Sequence, residues 1–320
     1  MQYKGSYKGL NDVGKSINEN KLKKVILILV FLITFTSTVY MITNKVENKI
    51  GSIKLSNEEI QNYIDIADVL SKAGYQLNWQ EIAALNSALN NGDFIINNDN
   101  IINIEKALMK KDKEGNVIGI NSFKSALKDL KLDSAKERIA ENNLEGIRNN
   151  YLNERLASDK SKIEFIESVS KIAFDNYKEY KILPSITISQ AILESGWGES
   201  ELSSEYNNLF GIKADSRWSG EKVELETKEN YDDVIVSAFR AYEDLTSSIK
   251  DHGRFLYENE RYSLNGLFDG KTYKEQAQAL ENAGYSTAKD EEGNLIYADK
   301  LIRVIQENNL MLYDTLVKRK

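Results

Sequence analysis

Glu194 lies near the end of the run Ile188-Ser189-Gln190-Ala191-Ile192-Leu193-Glu194-Ser195-Gly196-Trp197-Gly198, which puts one carboxyl group at the end of an apolar helix and beside a tryptophan. A carboxyl in that setting can hold a proton. Desolvation by apolar neighbours, the negative end of the helix dipole and water exclusion by the Trp197 ring would each disfavour its ionised form. An acid still protonated near neutral pH can act as a general acid. Helical spacing places Ile188, Ala191, Ile192 and Ser195 on one face, with Thr187, Gln190 and Glu194 along the adjoining edge. Pro184 and Ser185 mark the start of the helix, with the Ser185 hydroxyl expected to cap the first free amides, and Gly196 marks its stop.

Three further motifs follow in order: Tyr206-Asn207-Asn208-Leu209-Phe210-Gly211-Ile212-Lys213, Phe239-Arg240-Ala241-Tyr242 and Asn282-Ala283-Gly284-Tyr285. Taken with Glu194-Ser195-Gly196-Trp197-Gly198-Glu199-Ser200, the set resembles the glucosaminidase family of bacterial cell-wall hydrolases, glycoside hydrolase family 73, over roughly residues 160–315. The resemblance implies a lysozyme-like helical domain with a small β-hairpin lobe. It also implies an endo-β-N-acetylglucosaminidase that cleaves the GlcNAc-β-1,4-MurNAc bond of peptidoglycan glycan strands, without cofactor or metal. A muramidase or a lytic transglycosylase would share the helical fold and the catalytic glutamate. A wall-binding or scaffold protein could hold glycan in the same groove without cutting it.

Glycosidic hydrolysis commonly uses two carboxyl groups, one to protonate the departing oxygen and one to activate water or stabilise positive charge at the ring. Glu194 fits the first role. For the second, the family pattern Thr-x-Glu-Tyr on the hairpin is matched by Thr227-Lys228-Glu229 until Asn230 intrudes before Tyr231. Glu229 is the expected group, and Glu224 and Glu226 remain open substitutes. Strand alternation puts Glu224 and Glu226 on one face and Glu229 on the other unless the turn has begun. Tyr285 matches the family's active-site tyrosine, whose hydroxyl could orient water or hold the substrate acetamido group. Trp197, Tyr206 and Phe210 are expected to contact sugar as groove walls, because flat aromatic faces suit sugar rings. Asn208 and Lys213 would supply polar contacts or brace the loop. Arg240 is expected to order the hairpin carboxylates, and His252, in an amphipathic helix with Leu245, Ile249 and Phe255, to be structural.

Composition narrows the alternatives. The chain has 320 residues, no cysteine and one histidine. That leaves no disulfide framework, Cys-His peptidase, ordinary Ser-His-Asp triad or His-rich zinc site. A net charge of −7 and a pI near 5.2 argue against a nucleic-acid partner, which needs a basic face.

Val25–Thr43 is an uncharged apolar stretch, and at about 1.5 Å per residue a helix of this length nearly matches the roughly 30 Å hydrocarbon core of a bilayer. Residues 1–24 carry a net charge of +4 against a neutral 44–60, which places the basic tail in the cytoplasm and the rest of the chain outside. A single-pass signal-anchor is the expectation, with a cleaved signal peptide the alternative, although no clear small-x-small cleavage site follows.

Ser56 to Glu59 reads as a capping box opening a helix through Ile60, Ile64, Ala67 and Leu70. Helical periods continue at Trp79–Leu89, Ile101–Leu108, Phe123–Leu130 and Ala135–Ile147, predicting a small all-helical domain over 55–150. This domain could serve as a spacer, a regulator or a dock for an envelope-assembly partner. Asp112–Asn116 superficially suggests a calcium loop, but counting back from Gly115 puts Lys110 where the first acidic ligand belongs. After a joining stretch near 149–160, the catalytic domain at 160–315 should be mainly α. Its one strand-like segment alternates through Val223, Leu225 and Thr227 and returns through Val234 and Val236.

Overall fold

Ser56 and Glu59 form a reciprocal capping box: the Ser56 hydroxyl accepts from the Glu59 amide and the Glu59 carboxylate accepts from the Ser56 amide. The box opens α1 (Asn57–Leu70), the first helix of a computed structural model that describes residues 53, 55–151, 160–229 and 233–318. Two helices with asparagine caps follow, α2 (Trp79–Leu89) and α3 (Asn98–Leu108). A short hairpin of β1 (Met109–Lys111) and β2 (Val117–Ile120) comes next, then α4 (Phe123–Asp129) and α5 (Ser134–Tyr151).

That first hairpin is not foreseen by the helical periods, and its turn is Asp112–Asn116. The Asp112 carboxylate accepts from the Asn116 amide at 2.8 Å, the Asn116 carbonyl accepts from the Asp112 amide at 2.9 Å, and Gly115 takes φ +90°. The same five-residue pattern, Asp-x-Glu-Gly-Asn, recurs at Asp290–Asn294. There the Asp290 carboxylate accepts from the Asn294 amide at 2.7 Å and Gly293 takes φ +87°. Both stretches build self-contained turns. Among the described residues no cluster of three or more His, Cys, Asp or Glu side chains could hold a metal ion.

The second half of the chain forms α6 (Lys160–Tyr180), α7 (Pro184–Ser195), α8 (Glu201–Tyr206), the hairpin β3 (Lys222–Glu229) and β4 (Asp233–Arg240), then α9 (Leu245–Glu258), α10 (Glu260–Leu264), α11 (Tyr273–Asn282), α12 (Tyr297–Glu307) and α13 (Met311–Lys318). The fold is mainly helical with two small two-stranded antiparallel sheets among the described residues. β3 and β4 pair in continuous register from Lys222 opposite Arg240 to Glu229 opposite Asp233.

α7 is the central helix, packed by α6, α11, α12 and α13. Its start corrects the expected cap. Leu183 occupies the N-cap with no side-chain bond and Pro184 fills the first turn, where its missing N–H costs nothing. The free Ser185 amide goes instead to the Asp314 carboxylate of α13 at 2.9 Å, and the Ser185 hydroxyl donates to the same group at 2.6 Å. Burial is the reason: with Ser185 fully enclosed, a carboxylate from a neighbouring helix satisfies both donors at once. Gln276 of α11 accepts from the Leu183 amide at 2.8 Å and secures the same end.

Ile53–Lys320 form one compact unit. Helices from the 55–150 region and from the region beyond 160 bury their apolar faces in a common cluster that includes Trp79, Ile82, Ile166, Leu310 and Met311. Trp79 Nε1 donates to Asn309 Oδ1 at 2.8 Å, Thr315 Oγ1 donates to the Gln76 carbonyl at 3.1 Å, and Asp68 of α1 accepts from the Tyr273 hydroxyl and pairs with Lys274 Nζ at 2.9 Å. Among the described residues no helix is long and apolar enough to cross a membrane. The basic tail 1–24 and the span predicted at 25–43 lie outside the described residues, as does 152–159 of the joining stretch.

Candidate active site

α7 is buried from Pro184 through Ile192, and among its residues Glu194 alone is exposed. A helix this enclosed can present chemistry only where it surfaces, and that is at the carboxyl group. Tyr297, the first residue of α12, donates its hydroxyl to Glu194 Oε1 at 2.7 Å, and Gln190 Nε2, one turn back on α7, donates to the Tyr297 oxygen at 3.0 Å. Solvent reaches Glu194, yet the protein atoms crowded beside it displace enough water to raise its pKa above the ordinary carboxylate value. The Tyr297 hydrogen bond and the Lys300 ammonium oppose that rise without cancelling it.

The helix stops as Gly196 predicts. Gly196, Trp197 and Gly198 take φ +58°, +65° and +82°, three successive residues in the left-handed region. A left-handed tryptophan is costly, by roughly 1–3 kcal/mol, and persists only where its surroundings enforce it. Ser195 is the local enforcer: its hydroxyl donates to the Ala191 carbonyl and accepts from the Gly198 amide at 2.7 Å. The half-buried Trp197 ring meets Phe165 edge-on at 6.1 Å and has the Lys162 ammonium 5.1 Å from its centroid.

Tyr285 is brought to the same place. Its ring stacks on Tyr297 with centroids 5.2 Å apart and 19° between planes, and contacts His252 edge-on at 6.3 Å. Burial first, then the charge of Glu194, raises the Tyr285 phenol well above its usual pKa, and burial does the same for Tyr297, so both stay neutral hydroxyls. His252 is completely enclosed and stacked on Phe210 at 3.7 Å. Desolvation drives its pKa down to about 3, which keeps it neutral, consistent with a structural role.

Other expected contacts fall elsewhere. Phe210 is 5% exposed and its face is taken by His252, so it is a packing residue and not a groove wall. Asn208 is 1% exposed; its amide donates to the carbonyls of Ile212 and Arg240 at 3.0 and 2.8 Å and its oxygen accepts from the Ile212 amide at 3.1 Å. It braces the loop against β4. Lys213 is exposed and its backbone bridges to Phe239, while Tyr206 is half-buried at the end of α8 with its carbonyl accepting from the Tyr242 amide at 3.0 Å. Glu224 and Glu226 are exposed on β3. Strand pairing continues through Glu229, so the turn has not begun there and its register position is odd, shared with Val223 and Leu225.

Arg240 is also corrected. Among the described contacts its guanidinium goes to the helical body: it donates to Asp251 Oδ2 of α9 at 2.7 Å and lies over the Trp218 ring at 4.6 Å. Tyr242 donates to the same oxygen at 2.7 Å and Arg254 to the other. Tyr297, Lys300, Gln190 as a hydrogen-bond donor and Asp251 are the residues that sequence reasoning misses. Tyr297 stands 103 positions from the carboxylate it serves, and no local spacing connects them.

A model of the family described as mannosyl-glycoprotein endo-beta-N-acetylglucosaminidase matches residues 170–310. Exo-glucosaminidase LytG of Bacillus subtilis (strain 168) is 38% identical over 156 residues, 47% of this chain and 52% of that protein. Peptidoglycan hydrolase FlgJ of Vibrio parahaemolyticus is 35% identical over 151 residues, 45% of this chain and 46% of that one. The catalytic domain of the Listeria monocytogenes autolysin Auto is 32% identical, with a TM-score of 0.42, covering 53% of this chain and 97% of that domain. The chain spans about half the length of the curated relatives it matches. Glu194, Trp197 and Tyr285 of its motifs all fall within the matched residues 170–310, and through that segment the chain belongs to the glucosaminidase family.

Proposed function

We propose that this protein is a peptidoglycan hydrolase, an endo-β-N-acetylglucosaminidase that cleaves the GlcNAc-β-1,4-MurNAc bond with Glu194 as general acid. One observation carries the reading: the single exposed residue of the buried central helix is a carboxyl group whose pKa is held above the ordinary value beside two neutral tyrosine hydroxyls. Protonating the glycosidic oxygen requires such a group. Glu229, at the end of β3, would serve as base or charge stabiliser, and Tyr285 would orient water or the acetamido group. Trp197, Tyr206 and Lys213 would border the glycan. The apolar stretch at 25–43 and the charge asymmetry around it support a membrane anchor, with the compact unit outside the cell.

Products of purified peptidoglycan, reduced and analysed by mass spectrometry, test this reading with Glu194→Gln in parallel. Reduced GlcNAc ends from the native chain and none from the variant are expected. Reduced MurNAc ends or anhydro-sugars would instead identify a muramidase or a lytic transglycosylase, and intact glycan from both proteins a binding protein. The name of the 38% identical relative, an exo-glucosaminidase, favours a second reading in which cleavage starts from chain ends. The length distribution of early products separates the two, since end-first cleavage releases disaccharides before any longer fragment.

A further inference from the structure

We propose that Tyr297 is the positioning residue of the acid: clamped by Gln190, its hydroxyl fixes which oxygen of Glu194 carries the proton to substrate. This rests on Glu194 being the general acid. The Gln190 amide nitrogen can only donate, so the Tyr297 oxygen accepts from it at 3.0 Å and the single phenolic proton goes to Glu194 Oε1 at 2.7 Å. Oε1 is therefore an acceptor, and the transferable proton is confined to Oε2.

The arrangement is rigid on every side. Gln190 is fully buried on α7 and Tyr297 is 2% exposed. The Tyr297 ring stacks on Tyr285, and the next amide, of Ala298, donates to Glu281 Oε2 at 2.9 Å. Glu281 is itself held by Gln278 Nε2 at 2.9 Å. The α12 start thus cannot slide without breaking several buried bonds. Other charged or titratable groups nearby are Lys300 on α12, Tyr285 after α11 with Tyr262 and Arg261 of α10 behind it, and Lys162 of α6 over the Trp197 ring. Asp314 of α13 meets the opposite end of α7. Among the described contacts it is the Tyr297 hydroxyl that reaches the Glu194 carboxyl and orients it.

A hydroxyl that donates to the carboxylate stabilises its ionised form and works against desolvation. Removing it leaves desolvation unopposed. The test uses the full chain with Tyr297→Phe and, as a second variant that leaves the ring in place, Gln190→Met. Two readouts are taken: the carbon-13 titration of the Glu194 side-chain carboxyl, assigned by its absence in Glu194→Gln, and the pH profile of peptidoglycan hydrolysis. Tyr297→Phe should move the carboxyl midpoint and the alkaline limb of the profile upward together, by about one pH unit. It should also lower kcat about tenfold through lost orientation. Gln190→Met should give a smaller shift in the same direction. A midpoint that stays in place or moves to lower pH in folded Tyr297→Phe overturns the proposal. If the native chain releases no sugar while the midpoint still shifts, the hydrolase reading fails and the positioning role stands. If the native chain cuts and the midpoint is unmoved, the reverse holds.

Discussion

At the residue scale, the Glu194 carboxyl has its pKa raised because crowding by the protein removes more hydration than one hydroxyl and one nearby ammonium restore. Glu194→Gln should therefore lower hydrolysis about 10²- to 10⁴-fold, the usual contribution of a positioned acid. It should not cost stability. A glutamate whose folded pKa is raised destabilises the fold once pH exceeds the unfolded value of about 4.3, because the unfolded chain ionises more readily. The variant should accordingly be slightly more stable than the native chain at neutral pH and lose that advantage below about pH 4, which thermal melts across pH will check. Gly198 is the opposite kind of residue, with a backbone that only glycine tolerates well. At φ +82° an added Cβ would lie 2.9 Å from Phe165 Cε2. Gly198→Ala should cost roughly 1–3 kcal/mol and disturb the Trp197 turn, read as a lower melting temperature with weakened hydrolysis.

At the scale of elements, the hairpin and the loop before it are tied to the helical body through Asp251. Desolvation pushes that carboxyl up, but hydrogen bonds from Arg254, Tyr242 and Arg240 outweigh it and hold its pKa below the ordinary value. Its stabilising contribution is therefore complete above the unfolded pKa of about 3.9 and is lost as pH falls through the lower folded value. Asp251→Asn should cost about 3 kcal/mol at pH 7, as expected for breaking a buried pair, with the gap to the native chain narrowing below about pH 4. Urea titrations at pH 7 and pH 3 measure both numbers. This anchor also shows which features the chain reveals before folding. Local rules suffice for the Ser56 capping box, the Gly196 stop, the alternating hairpin and the proton-holding setting of Glu194, because each depends on neighbours within one turn or one strand. They do not reach the Ser185–Asp314 pair, 129 positions apart, or the Tyr297 bond. Phe210 reads equally well as a groove wall or as packing until His252 is placed against it. The β1–β2 hairpin escapes for another reason: strands of three and four residues give periodicity too little length to register.

At the scale of the whole molecule, the region at 55–150 changes meaning once it is seen to share a core with the catalytic segment. Besides α11, it touches α12 and α13. Trp79, 1% exposed, fills the space beside Asn309, while Gln76 and Asp68 take donors from Thr315 and Tyr273. The same two helices place Tyr297 against Glu194 and Asp314 against the start of α7. Support for Glu194 thus passes from the N-terminal helices through α12 and α13 to both ends of α7. A chain cut to 160–320 would expose Leu310 and Met311, now 0% and 1% exposed, and would lose the partners of Asn309 and Thr315. Burying side chains of that size is worth about 1.5–3 kcal/mol each, a large part of the 5–15 kcal/mol by which domains are stable. The 53–320 chain should melt in one transition, and the 160–320 chain should melt well below it with hydrolysis reduced even where it remains folded. Calorimetry with peptidoglycan turnover on both chains checks this. Equal melting temperatures and equal rates would make 55–150 an appendage to the catalytic segment and would detach its role from the positioning of Glu194.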